Sequence, residues 1–116
     1  MRLLFFGTPD FAVPSLRSLH GAGHEVARVV TRPDRPRGRG RKPAPSAVKK
    51  AATQMGLKVL QPEDVNQDET VGSLREADAD LGVVVAYGEI LSPEVLEVTE
   101  RGFLNLHASL LPKYRG

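Results

Sequence analysis

At 116 residues the chain has the length of one domain, enough to bury about two-thirds of the surface its extended form would expose. It contains no cysteine, which excludes a disulfide framework and a thiolate metal site, and its three histidines, His20, His24 and His107, are too widely spaced to suggest zinc. The net charge of +2 conceals a division: residues 32–50 carry eight basic side chains against the single acid Asp34, a local +7 that leaves −5 for the rest. Charge so concentrated concerns a partner rather than the fold.

Arg2 to Phe6 form a short apolar run ending at Gly7, which suits a buried strand. Asp10 is placed to cap a helix, with Pro14 in its first turn and Phe11, Leu16 and Leu19 along one stripe. Gly21 and Gly23 end it. Glu25 to Val30 read as a second strand. Residues 31–45 hold four prolines and two glycines among their charges, and no regular structure is expected there. Ser46 looks like an N-cap for a helix from Ala47 to Met55. Leu57 to Pro62 suggest a third strand, and residues 65–78 a weaker helix interrupted by Gly72. Leu81 to Gly88 are apolar on both faces, as in a central parallel strand. Ser92 and Pro93 open a short helix, and Gly102 to His107 make a fifth strand.

Strands and helices alternate without a repeat or a hairpin signal. The pattern predicts an α/β fold: a mostly parallel, Rossmann-like sheet with helices on both faces, wound by right-handed crossovers. No apolar run approaches the ~20 residues that span a bilayer. Met1-Arg2 leads directly into the first strand without a signal-peptide pattern, so a soluble, cytoplasmic protein is expected.

Ligands of open α/β sheets gather beyond the carboxyl ends of the strands. The first such loop, Gly7-Thr8-Pro9-Asp10, has one glycine rather than the three of a dinucleotide fingerprint, so a tight turn is the better reading, with Gly7 clearing some space. The second, Ala86-Tyr87-Gly88-Glu89, is either a simple turn or a source of backbone groups and open space for a flat ring, which makes Tyr87 and Gly88 candidate cofactor contacts. In the fifth strand Asn105 and His107 share a face about 7 Å apart, with Phe103 on the same face and Leu104 and Leu106 opposite. An amide beside an imidazole can stabilise a developing oxyanion, and the histidine can carry a proton near neutral pH. A polar strand end bonded to neighbouring backbone explains the same residues. Ser109 and Pro112 turn the chain, while Leu110 and Leu111 either line an apolar wall or fill the core. The basic segment exceeds what solubility needs, and nucleic acid is its natural counterpart. Between Glu63 and Glu100 the only base is Arg75, which confines such contact to one edge.

FFGTPDFAVPSL, TRPDRPRGRGRKPAPSAVK, VVVAYGEIL and LNLHASLLPKYRG, in that order and spacing over the whole chain, resemble the N-terminal part of the methionyl-tRNA formyltransferase family. The resemblance implies transfer of a formyl group from 10-formyltetrahydrofolate to the methionyl amine of initiator tRNA, without a metal. It assigns catalysis to Asn105 and His107, folate contact to Ser109, Leu110, Leu111 and Pro112, and tRNA contact to the basic loop, with Arg35, Arg37, Arg39, Arg41 and Lys42. Residues 1–116 would be the N-terminal portion of the catalytic domain. A further catalytic aspartate and a C-terminal barrel would lie downstream, so this chain alone is expected to be inactive. The full-length family implies a monomer, whereas the fragment has edges through which it can self-associate. Two rivals remain: a formyltransferase for a small acceptor, a sugar nucleotide or glycinamide ribonucleotide, which would not need a +7 loop; and an inactive RNA- or folate-binding module.

Overall fold

A computed structural model describes residues 1–37 and 42–106. Five parallel strands form the main sheet: β1 (Arg2–Gly7), β2 (Glu25–Val30), β5 (Val59–Leu60), β6 (Leu81–Val85) and β7 (Phe103–Asn105). Their spatial order is β5-β2-β1-β6-β7, so β1 lies at the centre and the order reverses between β1 and β6. Between the strands run α1 (Val13–Gly21), α2 (Ala47–Gln54), α3 (Asp68–Glu76) and α4 (Pro93–Leu96). This is the Rossmann-like α/β architecture expected from the alternating pattern.

The continuous apolar run of β1 follows from burial on both faces. Leu4 and Phe6 join Val30, Val65, Leu74, Tyr87 and Val95 in one core layer, under α3 and α4. Phe5 joins Leu16, Val29, Val48, Val83 and Val85 in the other, under α1 and α2. Each large side chain so buried contributes about 1.5–3 kcal/mol. In β2 strict alternation would separate Val26 from Val29, yet both enter the second layer. The register against β1 slips between Leu3 and Leu4, and this irregularity resets the faces.

Ser46 and Ser92 cap α2 and α4 as anticipated, accepting hydrogen bonds from the backbone N–H groups of Lys49 and Val95. Asp10 does not cap α1. It begins a 3-10 turn, Asp10–Ala12, that precedes the helix, and Phe11 is left 49% exposed instead of joining the apolar stripe. The third strand is only Val59–Leu60, since it lies at the sheet edge and pairs with β2 alone.

The main correction concerns the basic segment. Arg35–Arg37 (β3) and Lys42–Ala44 (β4) form an antiparallel ribbon, with Arg35 opposite Ala44, Pro36 opposite Pro43 and Arg37 opposite Lys42. Antiparallel pairs alternate between bonded and non-bonded positions. Neither proline has an N–H to give, so setting them opposite each other confines that loss to one pair and leaves the flanking pairs free to form the ladder.

Two glycines predict opposite mutational signs. A Cβ on Gly82 would overlap the Phe103 ring, which packs 5.4 Å from Phe6. Gly72 lies in α3 with nothing near its missing Cβ. Gly82→Ala is therefore expected to lower stability by about 1–3 kcal/mol, and Gly72→Ala to raise it by about 0.5–1 kcal/mol, in urea unfolding.

Candidate functional site

The reversal of strand order opens a crevice beyond the carboxyl ends of β1 and β6. Gly7 ends β1 where a Cβ would lie 2.9 Å from the Val85 carbonyl oxygen and 3.0 Å from the Ala12 Cβ. The space its missing side chain leaves is thus taken up by the protein's own backbone and core. Thr8 then ties the two strand ends together: its hydroxyl donates to the Tyr87 carbonyl at 2.7 Å and accepts from the Arg32 N–H at 3.3 Å.

The segment after β6 turns sharply. Ala86 has φ +52°, a left-handed conformation unfavourable for a residue with a Cβ, and Gly88 has φ +105°. The Tyr87 ring is buried and meets Phe6 edge-on at 5.6 Å. Its side chain belongs to the core, so what this residue offers a ligand is backbone. Burial pushes the Tyr87 phenol up, and the nearby Arg32 guanidinium opposes this; among the described residues the hydroxyl has no hydrogen-bond partner.

Glu89 closes the turn. Its carboxylate meets Arg32 Nη1 at 2.6 Å, both side chains being about four-fifths buried, and also accepts from the Val65 N–H at 3.3 Å. Beside it the Asn66 amide donates to the Ile90 carbonyl and accepts from the Ser92 N–H. The crevice wall is therefore held by four polar side chains, Thr8, Arg32, Asn66 and Glu89.

Two cavities share this wall. One, of about 350 Å³, lies between Thr8, Pro9, Arg32, Ser46 and residues 86–88, and reaches Arg35 and Ala44 on the ribbon. The other, of about 280 Å³, lies between Phe11, Val84, residues 86–89, Asn105 and Leu106. Asn105 pairs with Val84 and is exposed, whereas Phe103, two residues earlier, packs into the core. Leu104 and Leu106 are 50% and 37% exposed.

The ribbon is fastened at its base. Asp34, immediately before β3, accepts from Gln61 Nε2 at 2.7 Å and from Lys49 Nζ at 3.3 Å. The Gln61 hydrogen bond holds the Asp34 carboxyl below its ordinary value, with Lys49 adding to the effect against partial desolvation. Of the basic residues, Arg32 and Lys49 are engaged internally, while Arg35, Lys42 and Lys50 are exposed. Arg37 occupies the register position opposite Lys42.

The structure thus brings Asn105, Tyr87, Gly88 and Arg35 to one end of the sheet. His107, Ser109, Leu110, Leu111, Pro112, Arg39 and Arg41 lie outside the described residues. Thr8, Arg32 and Glu89 were not anticipated as a group, because nothing in the sequence joins residues 57 positions apart. Asp34 carried a signal, being the lone acid in a basic run. Among the described residues no group of histidines and carboxylates could hold a metal ion, and no helix is long and apolar enough to cross a membrane.

The formyl transferase family model matches residues 1–116. The methionyl-tRNA formyltransferase of Moorella thermoacetica is 59% identical over 116 residues, covering 100% of this chain and 37% of the relative. That of Heliobacterium modesticaldum is 58% identical, covering 100% and 36%. The chain therefore spans little more than a third of the length of these curated relatives. The crystal structure of glycinamide ribonucleotide transformylase 1 from Geobacillus kaustophilus superposes with a TM-score of 0.65 at 23% identity, covering 99% of this chain and 62% of that one. The Symbiobacterium toebii protein of the same name gives 0.61 at 19%, covering 100% and 55%. Likeness at that identity establishes a common fold, while the match along the whole sequence establishes descent: the chain belongs to the formyl transferase family.

Proposed function

We propose that this chain forms the N-terminal portion of the catalytic domain of an enzyme that formylates the methionyl amine of initiator tRNA, with 10-formyltetrahydrofolate as donor. The observation that carries the reading is the pair of cavities sharing residues 86–88, one bordered by the basic ribbon and the other by Asn105. In this reading the RNA acceptor enters along the ribbon and the donor occupies the Asn105 side. The identity of 49% or more to relatives named methionyl-tRNA formyltransferase supports the same acceptor.

The second cavity suits a flat donor ring. Val84, Ala86 and Leu106 supply apolar surface, and Gly88, which is exposed, leaves its backbone uncovered by a side chain. The bound folate supplies an activated formyl carbon. The methionyl amine, once neutral, forms a C–N bond to that carbon, and the carbonyl oxygen takes up negative charge. The Asn105 amide donates a hydrogen bond to this oxygen, and His107 donates a second or moves the proton that leaves the amine. The charge then returns to re-form the carbonyl, the bond to the folate nitrogen breaks, and that nitrogen is protonated. Ser109, Leu110, Leu111 and Pro112 wall the donor. A downstream aspartate orients His107. The full-length protein acts as a cytoplasmic monomer, and no metal is required.

Arg35, Arg37, Arg39, Arg41 and Lys42 contact phosphates in this scheme. A small acceptor would have no use for a ribbon of this charge, which favours RNA over a sugar nucleotide.

In the full-length protein, Asn105→Ala is expected to lower turnover by about 10²–10³ while leaving folate affinity nearly unchanged; near-normal turnover would remove Asn105 from catalysis. Binding of initiator methionyl-tRNA should weaken steeply with salt, each phosphate contact adding a slope of about −0.7 to −0.9 in log K against log salt. Replacing Arg35 by Gln should reduce that slope by about one contact, and an unchanged slope would take Arg35 off the RNA.

A further inference from the structure

Asp34 sits at an electrostatically adverse place. It is the only acid among eight basic residues, directly before β3, on the segment assigned to a polyanion. On charge alone its removal would strengthen attraction to RNA. Its surroundings point the other way. The carboxylate bridges two elements outside the ribbon: Gln61 just beyond the edge strand β5, at 2.7 Å, and Lys49 in the first turn of α2, at 3.3 Å. Lys49 belongs to the helix that β4 leads into, so the ion pair ties the leg entering the ribbon to the element receiving the leg that leaves it.

Other bonds fasten the same neck. The Thr31 hydroxyl bonds to that of Ser46 at 2.7 Å in a fully buried contact, and the Gln61 amide also donates to the Arg32 carbonyl at 3.3 Å. Beyond the neck the ribbon consists of two three-residue strands, and a two-stranded ribbon of that size is marginal alone. Its orientation must therefore come from its base. Releasing the base would let the cations sample directions in which they miss the RNA, and apparent affinity falls with the fraction of chains in the competent arrangement.

We propose that Asp34 is a positioning residue for RNA binding: clasped by Lys49 and Gln61, it fixes the neck of the basic ribbon, so that an acid promotes association with a polyanion. The inference rests on the RNA-acceptor reading above and adds to it a residue that touches no RNA. It also gives a role to Lys49, a base of the same segment that the acceptor reading places on no phosphate.

The test measures binding of initiator methionyl-tRNA and of the folate donor to the full-length protein at one fixed salt concentration. Asp34→Asn adds one unit of positive charge, and Gln61→Ala changes no charge. The expected result is that each weakens tRNA binding about fivefold with folate affinity unchanged, and that KM for the tRNA rises while kcat at saturation stays close to wild type. Unchanged or tighter tRNA binding by Asp34→Asn, with wild-type protein binding normally, would overturn this inference alone. A wild-type protein without affinity for the tRNA would overturn the acceptor reading and this one with it. Should Asp34→Asn fail to fold, Gln61→Ala decides: wild-type tRNA affinity in that variant rejects the clasp.

Discussion

The close approach of β1 to β6 is the constraint on which the site depends. These two central parallel strands pair regularly up to Gly7 and Val85, and a Cβ on Gly7 would lie 2.9 Å from the Val85 carbonyl oxygen. The loops leaving those strands then start close enough for the Thr8 hydroxyl to reach the Tyr87 carbonyl at 2.7 Å. That bond, the Arg32–Glu89 ion pair and the Asn66 bridge fix the turn at residues 86–92, and this turn is the common wall of both cavities. A bulkier residue at position 7 would separate the strand ends and with them everything built beyond them.

Division of labour follows from this arrangement. The apolar interior and the left-handed turn at Ala86 shape a crevice lined by the turn itself together with polar side chains, Thr8, Arg32 and Ser46 in one cavity and Glu89 and Asn105 in the other. In this wall the charges of Arg32 and Glu89 are paired with each other. Positive charge is displaced to the ribbon, outside the main sheet, where Arg35 and Lys42 are exposed. In the proposed reaction the chemistry near Asn105 is thereby kept apart from phosphate recognition, and the two meet only through residues 86–88.

Much of the fold was legible because burial wrote it into composition. The runs 3–6 and 81–85 are uninterrupted by polar side chains, which is what a central parallel strand requires, and Ser46 and Ser92 each stand before a helix they cap. The ribbon was not legible. Its prolines, glycines and charges are signs of irregular chain, and the pairing of Pro36 with Pro43 that permits the ladder depends on register rather than on either residue. The entry to α1 was misjudged for a related reason: a 3-10 turn at Asp10–Ala12 satisfies that end of the helix with backbone, and the aspartate side chain makes no capping bond. The position of Asn105 at the end of β7, two residues beyond the core-packed Phe103, was legible from strand alternation. Arg32 and Glu89 escaped because an ion pair across a crevice leaves no local pattern.

The central claim is that donor chemistry occupies the cavity between the turn after β6 and Asn105. Amide hydrogen exchange of the full-length protein, with and without a non-transferable 10-formyl folate analogue, tests it most directly. New protection at residues 86–89 and 104–106, with the amino-end surface around His20 and His24 unaffected, is the predicted result. Protection confined to that opposite end, or absent from the turn, would contradict the account.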